Sequence, residues 1–88
     1  MEVGKEVTVG CPEGIHARPA ACLVRVANEY AGKITIHYQN QMIDAKSIMS
    51  ILAAGIGHGA KIKVVVAGDA AEPVLEKIGQ LLETGANL

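Results

Sequence analysis

Phenylalanine and tryptophan are both absent from this 88-residue sequence, and Tyr30 and Tyr38 are its only aromatic residues apart from three histidines. Proteins that hold single-stranded nucleic acid stack bases on aromatic side chains above a basic groove. Neither ingredient is present: Lys and Arg number 8 against 9 Asp and Glu, a formal net charge of −1. The same balance excludes the clustered positive footprint of a duplex-binding protein. No apolar run approaches the ~18 residues of a membrane span. The opening Met1-Glu2-Val3-Gly4-Lys5 lacks the basic and apolar segments of a secretion signal. Cysteine is scarce. Cys11 and Cys22 make no disulfide framework and have no metal-ligand spacing, so they read as small apolar fillers in a reducing, cytoplasmic compartment, with a redox role as the alternative. Repeats, low-complexity tracts and linkers are also missing. The length allows one domain, over residues 1–88, with a thin core and no deep substrate cavity.

What is present is short, well-punctuated periodicity. Glu6-Val7-Thr8-Val9 alternates as a strand, and Gly10 to Gly14 forms a loop with Pro12 inside it. From Ala17 to Tyr30 the period becomes helical, with Ala20, Leu23, Val24, Ala27 and Ala31 on one stripe and Gly32 as the expected C-terminal glycine. Ile34, Ile36 and Tyr38 mark a second strand. Gln39-Asn40-Gln41 turns the chain, with Asn40 suited to the left-handed region. Met42 to Ala45 gives a third strand with Ile43 and Ala45 inward. Ser47 caps a short helix to Ala54, closed by Gly55. Lys61 to Ala67 is the strongest strand. Asp69 then opens a last helix, with Glu72 in capping-box spacing, Pro73 in the first turn, a stripe of Val74, Leu75, Ile78, Leu81 and Leu82, and Gly85 as its stop.

The order is β-α-β-β-α-β-α. The central strand-turn-strand argues against an all-parallel sheet. The expected fold is α+β: a two-layer open-faced β-sandwich, a four-stranded antiparallel sheet covered on one face by three helices and wet on the other.

One segment carries chemistry. In Glu13-Gly14-Ile15-His16-Ala17-Arg18-Pro19-Ala20 a histidine stands where a loop meets a helix N-terminus, which offers unpaired N–H groups and about half a positive charge. Pro19 has no N–H, so the nearest donors are those of Ala17 and Arg18, and the Arg18 guanidinium adds a full charge. That is an anion site suited to phosphate, and a neutral imidazole there can act as a nucleophile toward phosphorus. The plain alternative is an exposed capping histidine beside a solvated arginine. His37, on a polar strand face, and His58, between glycines, read as solvated. No carboxylate or histidine pair supports a metal site, and Gly55 to Gly59 is no P-loop. Around the second helix, Ile51 and Ala54 suit the core. Ile48, Met49 and Leu52 are left toward water as a docking surface, or else as loosely buried side chains of a small helix.

Gly14-Ile15-His16-Ala17-Arg18-Pro19-Ala20 resembles the active-site signature of the HPr family, the histidine-containing phosphocarriers of the bacterial sugar phosphotransferase system. Lys46-Ser47-Ile48-Met49 resembles the family's regulatory-serine motif, with Ser47 31 residues after His16, and Gly55-Ile56-Gly57-His58-Gly59 resembles its glycine-bounded link. The likeness spans essentially the whole chain. It implies that His16 accepts a phosphoryl group, on Nδ1, from phosphorylated Enzyme I and passes it to the IIA domain of a sugar permease, with Arg18 orienting the group. The chain would then be a monomeric, cytoplasmic relay carrier without a cofactor rather than an enzyme that turns over alone. It also implies that Ile48 and Met49 meet those partners. In Gram-positive-type members, which Ile48-Met49 resembles, the matching serine is phosphorylated by an HPr kinase/phosphorylase, and the product acts in catabolite repression with a transcription regulator. Ser47 has the plain reading of an N-cap worth about 1 kcal/mol. Phosphate there would stabilise the helix and put about two negative charges beside the docking surface.

The sequence departs from the pattern at Glu13, where members often carry Ser, Thr or Asn. A carboxylate so near His16 is expected to repel a phosphoryl group or raise the histidine's pKa. Gln39-Asn40-Gln41 replaces the usual Asn-Gly turn, and the aromatic often found in the helices of enteric members is missing. Two other functions are compatible with these residues. One is a regulatory binding module acting through Ser47 without sugar transport, ranked second because His16 is retained. The other is a small histidine-arginine hydrolase, for which no acid, base or cavity is evident.

Overall fold

The computed structural model describes residues 1–85. Its elements run β1 (Glu2–Thr8), α1 (Ala17–Asn28), β2 (Lys33–Tyr38), β3 (Gln41–Asp44), α2 (Ile48–Ala54), β4 (Lys61–Ala67) and α3 (Ala71–Thr84). The strands form one antiparallel sheet in the order β1-β4-β2-β3, and the three helices lie on one face. The expected open-faced sandwich is therefore the observed fold.

The alternation that marks β4 puts Ile62, Val64 and Val66 under the helices, where Ile34 and Ile36 of β2 and Ile43 of β3 join them. Leu23 of α1, Ile51 of α2 and Ile78 and Leu82 of α3 close the layer from above, all without solvent exposure. Each such Leu or Ile contributes about 1.5–3 kcal/mol of burial. The second face is not uniformly wet: Thr35 is buried there, opposite Val65 on β4 and Asp44 on β3.

Several local expectations are corrected. The first strand begins at Glu2, not Glu6, and pairs with all of β4 from Glu2↔Ala67 to Thr8↔Lys61. Its start is masked in sequence because Lys5 occupies an inward position. There the ammonium reaches Glu76 of α3 at 3.5 Å and the stem passes close to Gly79. Helix α1 stops at Asn28, with Glu29 as its right-handed C-cap, so Gly32 is no cap. Gly32 is small for another reason: a Cβ there would lie 2.4 Å from the Ala67 carbonyl oxygen and 2.5 Å from the Tyr30 ring. Val26 replaces Ala31 in the buried stripe, and Val24 is only partly buried. In the β2–β3 turn the left-handed residue is Gln39 (φ 55°), not Asn40. Asp69 does not cap α3. Ala70, at φ 52°, is the N-cap and provides no side-chain hydrogen bond, while the Asp69 carbonyl accepts from the Tyr30 hydroxyl at 2.7 Å. The β4–α3 connection is thus shaped by a tertiary contact rather than by a capping box.

Candidate functional site

The histidine loop is fastened to two other parts of the chain. At its start the Gly10 amide donates to the Leu82 carbonyl at 2.9 Å, and the Cys11 thiol donates to the same oxygen at 3.6 Å, tying the loop to the end of α3. Burial pushes the Cys11 thiol pKa up. The Gly14 amide closes a turn on the Cys11 carbonyl, and the Ile15 amide donates to the Ile56 carbonyl, both at 2.9 Å. Gly14 lies at φ 79°, and a Cβ there would fall 2.4 Å from the same Ile56 oxygen. Ile15 is buried, so the loop is anchored by an apolar side chain just before the histidine emerges.

His16 is the N-cap of α1. Its backbone is extended (φ −96°, ψ −160°), its carbonyl accepts the first helical bond from Ala20 at 2.8 Å, and its side chain makes no capping hydrogen bond. Because Pro19 follows and Ala20 is already engaged, the N–H groups of Ala17 and Arg18 are the two donors left at the helix tip. His16, Ala17 and Arg18 are exposed. With Cys11, Pro12, Glu13, Gly14, Pro19 and Gly85 they line an open depression of about 510 Å³. Among the described residues the only ion pair is Lys5–Glu76, and neither Arg18 nor Glu13 has a charged partner among them. An exposed imidazole, two amides and a guanidinium, none of them with a hydrogen-bond or ion-pair partner among the described residues, thus share one surface. A larger depression, about 590 Å³, is lined by Lys33, Thr35, Met42 and Asp44 among others and contains none of these groups. Among the described residues no three His, Cys, Asp or Glu side chains come together as a metal site.

Ser47 is not in the depression. Its hydroxyl caps α2 by accepting from the Ser50 amide at 3.3 Å. The capping reading of the sequence thus describes its contact. Just before it, the Lys46 carbonyl accepts from Asn28 Nδ2 at 3.3 Å, and Lys46 Nζ donates to the Tyr30 carbonyl at 2.6 Å. The start of α2 is therefore tied to the end of α1, whereas the residue after its C-cap, Ile56, holds the loop at the start of α1. Ser47 thus opens α2, while the loop that carries His16 is bonded to the segment that follows it. Ile51 is buried beneath, while Ile48 is 37%, Met49 72% and Leu52 39% exposed, as the pattern around this helix predicted.

A family profile described as the PTS HPr component phosphorylation site matches residues 3–84. The chain belongs to the HPr family. It is 33% identical over 81 residues to the HPr-like protein Crh of Halalkalibacterium halodurans, covering 92% of this chain and 96% of that one. It is also 33% identical over 76 residues, 83% of its length, to the multiphosphoryl transfer protein of Haemophilus influenzae, of which it spans only 15%. The crystal structure of the phosphocarrier protein HPr from Bacillus anthracis superposes with a TM-score of 0.88 at 37% identity, covering 92% of this chain and 96% of that one. The sheet order and the seven elements of this HPr-family phosphocarrier follow that fold. No helix among the described residues is long and apolar enough to cross a membrane.

Two contributors to the HPr loop escaped the sequence reading. Ile56 acts through its carbonyl oxygen, and Leu82 through its carbonyl at the end of α3. Both are main-chain contacts from distant segments, and no residue type signals them. Only Gly14, required where the Ile56 oxygen leaves no room, had a visible trace.

Proposed function

We propose that His16 is the phosphoryl acceptor of this chain, taking the group from phosphorylated Enzyme I and giving it to the IIA domain of a sugar permease. The observation that carries the reading is the conjunction at the tip of α1: an imidazole, the N–H groups of Ala17 and Arg18, and a guanidinium, all in one depression and all without a hydrogen-bond or ion-pair partner among the described residues. In the transfer a ring nitrogen attacks phosphorus in line. The P–N bond to His16 forms as the donor's bond to phosphorus breaks, and the departing group keeps that electron pair. The three phosphoryl oxygens then meet the two amides and Arg18, whose planar fork fits them. The group is then held on His16 until a second protein takes it.

Ile48, Met49 and Leu52 form the apolar part of the docking surface, since they are the exposed apolar residues beside the held loop. We place the protein in the cytoplasm and assign transfer to the monomer, with residues 1–88 as one unit. Incubation with phosphoenolpyruvate and Enzyme I will introduce one phosphate that is lost in mild acid and survives base, as a phosphoramidate does. His16→Ala will abolish it. Label that persists in the variant would assign the site elsewhere.

A second reading, regulation through Ser47 in catabolite repression, is favoured by the likeness to an HPr-like Crh and by the position of Ser47 at the start of α2, beside Ile48 and Met49. An HPr kinase/phosphorylase would modify the hydroxyl and a transcription regulator would read the product. Incubation with such a kinase and ATP will give an acid-stable phosphate. A folded chain that takes up none retains Ser47 only as a cap.

A further inference from the structure

Glu13 has no part in holding the loop. Its side chain is exposed and without a hydrogen bond or ion pair among the described residues, yet it lines the same depression as His16 and Arg18. The backbone on either side is fixed: the Gly14 amide is bound to the Cys11 carbonyl, the Ile15 amide to the Ile56 carbonyl, and the His16 amide to the Gly14 carbonyl, each at 2.9 Å. The backbone that carries Glu13 is therefore fixed, and its side chain opens onto the same depression as the imidazole. Opposite charges share the depression with the ring, Arg18 from the helix and Glu13 from the loop, and they do not neutralise one another by pairing.

We propose that Glu13 sets the transfer potential of the phosphorylated chain, working against Arg18. This deepens the assignment of His16 as acceptor and rests on it. A phosphoryl group on the ring brings up to two negative charges into the depression. Arg18 attracts them and Glu13 repels them, so the carboxylate raises the free energy of the loaded state but leaves the empty one nearly unaffected. In onward transfer the P–N bond to His16 breaks while a bond from phosphorus to the acceptor's nucleophilic atom forms, and the imidazole keeps the electron pair. No further reactant enters. Relief of the repulsion drives the group outward, and Glu13 thereby favours delivery over retention. It is a positioning residue of the electrostatic kind: it touches no reacting bond.

The test sets two full-length carriers in competition. Equal amounts of ¹⁵N-labelled wild-type protein and unlabelled Glu13→Gln exchange a limiting pool of phosphoryl groups through a catalytic trace of Enzyme I. Mass spectrometry then reads the share each holds at equilibrium. At low ionic strength, where the screening length is about 30 Å, the variant will hold roughly three- to six-fold more phosphate, and at about 1 M salt, where it is about 3 Å, the shares will become equal. Glu13→Asp, which keeps the charge, will share evenly with the wild type. An even split for Glu13→Gln at low salt overturns the proposal. So does a bias that salt leaves untouched, because that would be geometry and not charge. If neither chain takes phosphate on residue 16, the acceptor assignment itself fails and Glu13 falls with it. That outcome is distinct from an even split between two loaded chains.

Discussion

The amide of Ile15 donates to the carbonyl oxygen of Ile56 at 2.9 Å, so the residue before the candidate nucleophile is held by the segment that follows α2. The contact leaves no space for a side chain on the neighbouring Gly14.

Gly14→Ala will therefore be costly twice over, through a left-handed backbone and through collision with the Ile56 oxygen. A loss of about 1–3 kcal/mol in urea-unfolding stability is expected, with slower phosphoryl transfer as the loop shifts. Gly57→Ala is the control. A Cβ there meets nothing within 4 Å, and its cost will stay below about 0.5 kcal/mol. Equal costs at the two positions would contradict the role given to the Ile56 contact.

Arg18 is exposed, and its side chain makes no ion pair among the described residues. Arg18→Ala will leave the unfolding midpoint unchanged and slow transfer from Enzyme I by about tenfold or more, the scale on which removal of a charged phosphate ligand acts. Arg18→Lys will recover part of the rate, since the charge remains and the two-pronged geometry does not. Rapid-quench measurement of phosphoryl uptake reads both, and an unchanged rate in the alanine variant removes the residue from the mechanism.

Ser47→Ala loses the hydrogen bond to the Ser50 amide and will cost about 1 kcal/mol in thermal or urea unfolding. Ser47→Asp preserves an acceptor at the cap while adding charge beside Ile48 and Met49. It will keep stability and weaken docking to an acidic partner surface by about tenfold, read as a rise in KM for that partner. A stability loss in both variants with no change in KM would leave the serine a purely structural residue.

Burial raises the pKa of the Cys11 thiol in the folded chain. A group whose folded pKa exceeds its unfolded one stabilises fully below the unfolded value, and that stability drains away as pH rises through the folded value. Urea midpoints will therefore be flat near neutrality with respect to this thiol and fall in alkaline buffer, above the ordinary thiol range. Cys11→Ala will remove that part of the alkaline decline. A variant with the wild-type slope would assign it to other groups.

Periodicity made most of the fold legible because strands and helices bury one face. Val7, Val9, Ile62, Val64, Val66, Leu75 and Leu82 each stand inside as their spacing required. The readings that failed were those in which a distant contact decided a local conformation. Gly32 looked like a helix stop and is instead the floor beneath Tyr30. Asp69 looked like a cap, but the Tyr30 hydroxyl takes its carbonyl and Ala70 makes the turn. Lys5 hid four residues of strand because a charged side chain can lie along a helix and reach Glu76 at its end. At the candidate site the reacting groups were legible as residue types, whereas the scaffold that presents them is built from carbonyl oxygens, which every residue possesses.

Pro19 leaves the first turn of α1 with two N–H donors, those of Ala17 and Arg18, where a helix without proline there would offer a third. A tighter grip would suit a storage protein. For a courier it would be a fault, because cargo bound too firmly at one address cannot be surrendered at the next; on the proposed role of this helix tip, the missing hydrogen of a single imino acid would keep the grasp light.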